Sequence, residues 1–337
     1  MNVEVDDFRD PGLKCARVKY PDDTYKQFDV DADCNASNLF RQVTAGMSYR
    51  LKDREHFALC FYDPFDGSKH WIDNSQELKF QLDYPGMLLD FGKNDRMEPE
   101  ERRRRAALPK LPWEFSFEVR FYPLSPSTLV DDIARNFLFM QLRHDILSGR
   151  LTAETDIHIR LGSLLAQIVY GDAPYSDDQD YKEVMTVTKL VPDTVTDVQA
   201  QLVQLHSEHR GISPSDAVNQ YMDLCATLPF YGVHFYPAKN HTGVDMMFGL
   251  GPSGISIQRD GCLLGHCKWL DMKFKYRNDR EDNEDTIFWS IKKNDGKTSN
   301  YTYKFSDVHL YTTVEHYITD HISFLRDGTI YDPEDMD

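Results

Sequence analysis

No stretch of this sequence stays apolar for the roughly 18 residues that a membrane-spanning helix needs, so no span is expected. The opening residues, MNVEVDDFRD, are acidic where a secretory leader would have an apolar core, and no leader is expected. Cysteine is sparse. Cys15, Cys34, Cys60, Cys225, Cys262 and Cys267 are scattered, mostly inside apolar runs, and read as buried thiols of a reducing compartment. Cys262, His266 and Cys267 form the one cluster with a metal-ligand flavour, but their spacing fits no standard zinc pattern and no second pair exists. Positive charge is short as well: 38 bases face 55 acids, for a net charge of −17. That balance argues against nucleic acid, which wants a basic stripe. GxSxG, P-loop and phosphatase-type cysteine loops are all missing, and no carboxylate spacing marks an acid–base pair. No enzyme activity, metal or cofactor is expected.

What the chain does have is a globular composition, 41% hydrophobic over 337 residues, enough for two or three compact domains. Its charge is uneven. Residues 112–227 hold 17 acids and 8 bases, whereas residues 14–93 come to −2, 228–327 to −1 and 94–111 to +2. The nearly neutral flanks leave room for local basic patches toward an anionic surface.

In chain order, Lys14–Tyr20 and Tyr25–Val30 read as strands around a Pro21-Asp22-Asp23-Thr24 turn. A short helix follows over Ala36–Ala45, then strands at His56–Tyr62 and Trp71-Ile72: a β-β-α-β-β order that suggests a ubiquitin-like roll. Asp83–Leu111 reads as a charged insertion, with Pro99 opening a short solvated helix whose glutamates pair with arginines at i,i+4. Within it, Arg102, Arg103, Arg104 and Arg105 form a basic run partly neutralised by those glutamates.

Trp113–Leu151 organises the chain. Phe115, Phe117, Val119 and Phe121 alternate as one face of a strand, which Pro123 and Pro126 stop. Thr128 then reads as a helix cap with Asp131 three residues on, opening a helix rich in Ile133, Ala134, Phe137, Leu138 and Leu142 and apolar almost all round. Three more helices are expected at Thr155–Tyr170, Val195–Arg210 and Pro214–Thr227. From Val233 the period becomes two. Seven strands and a closing helix, Asp307–Arg326, suggest a pleckstrin-homology-like sandwich. The helix is expected to bury Tyr311, Val314, Ile318, Ile322 and Leu325.

FEVRFYP followed by LVDDIARNFLFMQLRHDILSGRL resembles the junction of the first and second lobes of a FERM domain, the module of band 4.1, ezrin, radixin and moesin. WIDNSQELKFQL resembles the end of the first lobe. His206, Asp216-Ala217, Tyr221-Met222, Cys225, Leu228, Tyr231-Gly232, His234 and Phe235 fit the family's second signature. The resemblance covers about residues 14–327 and implies an α+β multidomain fold, a three-lobed cloverleaf. Its parts would be a ubiquitin-like first lobe (14–93), an inserted charged linker (94–111), a helical lobe like acyl-CoA-binding protein (112–227), a PH/PTB-like third lobe (228–327) and an acidic tail (328–337).

The function implied is a non-enzymatic adaptor. It would bind cytoplasmic tails of transmembrane proteins, join them to cytoskeletal scaffold proteins, and lie at the cell cortex. The peptide would add as a strand to Met272, Lys273, Phe274, Lys275 and Tyr276. Lys273, Lys275 and Arg277, with Arg102–Arg105, would give weak contact with an anionic membrane. Asp73 and Gln76 stand where ezrin-like members have lysines, so the Trp71 region is more similar to the protein 4.1 branch. The alternative is a targeting module of a larger FERM-containing protein such as a tyrosine phosphatase. A third reading is a purely structural or self-inhibiting domain that has lost binding.

Two motifs read as structure. Gly249-Leu250-Gly251-Pro252-Ser253-Gly254 spells GxGxxG, but the sequel alternates as a strand where a dinucleotide site needs a helix. His206 and His209 lie three apart on a helix with no further ligand, so His206 reads as packing or capping.

Overall fold

The computed structural model describes residues 13–31, 33–45, 47, 51–62, 69–78, 81, 113–174, 178–277, 286–292, 298–305 and 308–327. The insertion Asp83–Leu111, with Arg102–Arg105, lies outside them, as does the acidic tail. The chain divides into two compact units: Met1–Arg120 together with Val233–Asp337, and Phe121–Gly232.

The first unit holds two sheets. In one, β1 (Leu13–Lys19), β2 (Tyr25–Asp31), β3 (Phe57–Tyr62), β4 (Lys69–Trp71) and β5 (Trp113–Val119) take the order β2-β1-β5-β3-β4. The strand that was grouped with residues 112–227 is therefore the middle strand of the first sheet, parallel to β1 and antiparallel to β3. Its apolar alternation explains this place. Phe117 is fully buried with ring centroids 5.1 Å from Phe57, 5.8 Å from Tyr20 and 6.1 Å from Phe40. Helix α1 (Ala36–Ala45) supplies Leu39 and Val43 to the same core.

The second sheet has seven strands: β6 (His234–Asn240), β7 (Asp245–Gly251), β8 (Gly254–Arg259), β9 (Cys262–Lys268), β10 (Met272–Arg277), β11 (Thr286–Lys292) and β12 (Thr298–Lys304). Their order is β10-β11-β12-β6-β7-β8-β9. The GxGxxG run is the β7–β8 hairpin. A Cβ on Gly254, whose φ is +148°, would sit 1.9 Å from the Cys267 carbonyl oxygen, and one on Gly249 would strike Phe235. Close strand approach, not a phosphate, demands these glycines. Helix α7 (Val308–Asp327) closes the unit with Tyr311, Val314, Tyr317 and Ile318 buried. The expectation for its last turn fails: Leu325 is 42% exposed, while Tyr317 and His321 are buried.

The helical unit contains α2 (Asp132–Leu147), α3 (Thr155–Tyr170), α4 (Gln179–Val187), α5 (Gln199–Glu208) and α6 (Pro214–Ala226). Three expectations need correction. The cap of α2 is Asp131, whose carboxylate accepts from Ile133 N at 2.7 Å; Thr128 ends a short 3-10 turn. Helix α5 starts at Gln199, not Val195, because Asp197 takes a positive φ of 59° that no helix continues through. Helix α4 was not foreseen. Its only fully buried residue is Met185, so its sequence carries almost no apolar period.

Candidate functional site

β10 is an end strand of the seven-stranded sheet. It pairs antiparallel with β11, from Met272 opposite Ile291 to Arg277 opposite Thr286. Met272 is buried in the core that α7 caps through Tyr311, Val314, Tyr317 and Ile318. An end strand leaves one row of backbone donors and acceptors outside the ladder, which an extended peptide can pair with. Lys273, Lys275 and Arg277 occupy alternate positions along this strand; the side chains of 273–277 lie outside the described residues.

The polar centre of the unit lies elsewhere, and the sequence did not mark it. Arg120, only 6% exposed, donates to Asp320 of α7 at 2.6 Å. Its guanidinium also lies over the rings of Tyr317 (5.2 Å) and Trp71 (5.6 Å). Tyr317 donates its hydroxyl to the Arg120 carbonyl at 3.0 Å. Trp71 meets His234 edge-on at 5.4 Å, and His56 meets Phe324 at 5.1 Å. These contacts join the first sheet to the second sheet and its helix. A buried arginine needs this much compensation, because an uncompensated buried charge is strongly destabilising. The signal in the sequence was an arginine directly after an apolar strand; its partner, 200 residues away, had no local signature.

The bases and acids around Trp71 are already engaged. Lys69 sits 4.0 Å from the Trp71 ring centroid and pairs with Glu118 at 2.6 Å, and Glu118 also accepts from the Tyr62 hydroxyl at 3.0 Å. Asp73 holds the following turn, accepting from Ser75 N (2.9 Å), Ser75 Oγ (2.6 Å) and Gln76 Nε2 (2.9 Å). Gln81 closes it by donating to the Asp73 carbonyl at 2.9 Å. Asp73 is thus a turn-holding residue as well as a negative charge.

His321 stacks on Trp269 at 4.8 Å and on Tyr317 at 5.7 Å. Burial, with the nearby Arg120 charge, pushes its pKa down to about 3. The Trp269 indole donates to the Gly251 carbonyl at 2.9 Å, fixing the β7–β8 hairpin. A cleft of about 360 Å³ opens beside β6, β7 and β12 over Met246, Met247 and Phe305. Two of its bases face acids: Lys239 lies 3.6 Å from Asp245 and Arg259 3.4 Å from Asp260.

In the helical unit His206 is wholly buried. Its Nε2 donates to the Gly171 carbonyl at 2.8 Å, which leaves Nδ1 to accept from the Tyr181 hydroxyl at 2.7 Å. Burial holds its pKa below the ordinary histidine value. His209 turns instead to Ser163 Oγ at 2.9 Å. The pair tie helices together and converge on no common point. His266 Nδ1 lies 3.1 Å from Ser256 Oγ across the β8–β9 ladder.

Two family descriptions match the chain. The FERM N-terminal domain matches residues 18–84 and the FERM central domain residues 125–236. The chain belongs to the FERM family. It is 32% identical over 267 residues to mouse band 4.1-like protein 2, covering 78% of this chain and 24% of the relative. Canine protein 4.1 is 28% identical over 77% of this chain and 28% of its own length. The chain thus spans about a quarter of the curated relatives it matches. Among solved structures, Drosophila Merlin's FERM and C-terminal domain complex overlays with a TM-score of 0.69 at 19% identity, over 96% of this chain and 99% of that one. The human myosin 7b MyTH4-FERM domain, solved with the harmonin-a PDZ3 domain, gives 0.61 at 12% identity over 94% and 61%. These likenesses extend the FERM fold over the third lobe, beyond the two matched segments.

Proposed function

We propose that this FERM chain is a non-catalytic adaptor that takes an extended peptide from the cytoplasmic tail of a membrane protein and links it to the cytoskeleton at the cell cortex. The observation that carries this reading is the position of β10: the end strand of its sheet among the described residues, with Met272 in the core that α7 caps, a place that suits strand addition. Lys273, Lys275 and Arg277 favour acidic or phosphorylated tails. Likeness to band 4.1 proteins supports the cortical role. Membrane contact through these bases and Arg102–Arg105 is weak and screened by salt, with each base near an anionic surface contributing about 1 kcal/mol.

The test is fluorescence anisotropy with acidic juxtamembrane peptides, paired with amide exchange of the chain. Binding that newly protects Met272–Arg277, and that is lost when alternate peptide amides are N-methylated, is the expected result. Protection elsewhere, or indifference to N-methylation, overturns strand addition. A second reading is a targeting module within a larger FERM-containing protein. Sequencing the full transcript around this segment decides between them.

A further inference from the structure

Helix α4 presents a face that is exposed among the described residues of the helical unit. Its inner side is Met185, buried, and Tyr181, half-buried and bonded to His206. Asp180, Glu183, Val184 and Val187 fall at i, i+3, i+4 and i+7, one stripe on the opposite side, and all four are exposed. Val187 is 76% exposed and Val184 38%. A hydrogen bond between the Tyr170 hydroxyl and Thr188 Oγ1 sets the end of α3 beside the end of α4. Tyr170 is itself exposed, and Val169, 50% exposed, precedes it in the last turn of α3. Among the described residues twelve large apolar side chains are exposed, and four of them, Val169, Tyr170, Val184 and Val187, lie on the last turns of α3 and α4. Single exposed apolar residues need no explanation, whereas a group of them marks an interaction surface.

The charge around this corner identifies its partner. Residues 167–198 carry seven acids and two bases, −5 of the net −8 of residues 121–232. Lys189, one of the two bases, is engaged by Asp193 at 2.7 Å. We propose that the α3–α4 corner is a docking surface for a basic amphipathic helix, whose apolar side covers Val184, Val187, Val169 and Tyr170 while its lysines or arginines meet Asp180 and Glu183. An acidic helix would be repelled, and a basic segment without apolar residues would leave the valines uncovered. An anionic membrane is disfavoured by the same charge.

The probe is a fluorescein-labelled Lys/Leu peptide of about five helical turns with its leucines on one side. Its comparators are a Glu/Leu peptide and a Lys/Ser peptide of the same spacing. The full chain should bind the Lys/Leu peptide at least about ten-fold more tightly than either comparator. Val184→Ser with Val187→Ser, and separately Asp180→Asn with Glu183→Gln, should each weaken binding about ten-fold. Val130→Ser, at an exposed valine of the same unit outside α3 and α4, should leave it unchanged. These positions are exposed, so the variants should keep the native melting temperature. Amide exchange of the unsubstituted chain should show new protection within Gln179–Val187 on binding. Equal affinity for the Glu/Leu peptide, undiminished binding in either double variant, or protection confined to other elements would overturn the proposal.

Discussion

The two units bury polar groups by opposite means. The β-rich unit buries a charge: Arg120 sits between the rings of Trp71 and Tyr317 and pairs with Asp320. The helical unit buries a neutral ring: His206 spans Tyr181 and the Gly171 carbonyl, with burial holding its proton off. A buried ion pair is costly to desolvate and costly to break, and it fixes two surfaces in one geometry. A buried neutral histidine costs little at neutral pH but becomes a liability in acid. The contrast suits a unit whose two sheets must be joined on one side, and a helical bundle closed by apolar packing on the other.

The largest effect should come from replacing packing by charge in the helical unit. Leu138 is 1% exposed. Leu138→Asp should cost at least about 4 kcal/mol in urea denaturation, since it places a charge at a buried position. An unchanged midpoint would remove α2 from the core. Next comes the ion pair. Arg120→Ala strands Asp320, which is partly exposed, and strips two ring contacts, for an expected loss of about 3 kcal/mol. Arg120→Lys keeps the charge but not the planar guanidinium, and should fall between. If Arg120→Lys matches the native chain, the ring contacts contribute nothing.

The pH response sharpens the comparison further. His206 has a native pKa below the ordinary value of about 6.5. Its stabilisation is therefore whole above pH 6.5. It declines as pH falls below that value, because the unfolded chain takes up a proton that the native chain refuses. The slope is at most about 1.4 kcal/mol per pH unit for one such histidine. Urea midpoints of the native chain and His206→Gln at pH 7.5 and pH 5.5 check this. The native chain should lose more on acidification than the variant; a variant with an equal loss assigns the acid sensitivity elsewhere. The smallest effect concerns the helix cap. Asp131→Ala should cost about 1 kcal/mol and Thr128→Ala less than about 0.5 kcal/mol, because only Asp131 caps α2. A reversal of that order would restore Thr128 as the cap.

Periodicity alone carried most of the fold. Period-two alternation from Val233 announced the seven strands of the second sheet, and the 3.6 period placed α3 and α6, since both patterns report which face leaves water. The spacing from His206 to Phe235 sufficed for the family. Where burial is slight the sequence is silent. Helix α4 keeps one residue fully buried and left no stripe to read, and for the same reason its outer face became visible only with the fold. The cap of α2 depended on a 3-10 turn that local pattern does not distinguish from a helix start.

The candidate site divides the same way. β10 was legible as a strand, but only the strand order makes it an end strand among the described residues. That β5 runs through the middle of the first sheet rests on pairings across about 60 to 100 residues, and Arg120 finds Asp320 across 200. By itself the sequence determined which segments would be helix or strand and which faces would be buried, because those are set by neighbours along the chain. Tertiary structure alone decided which strand ends a sheet, which charge is compensated and which helix face stays bare, because each depends on groups distant in sequence that only folding brings together.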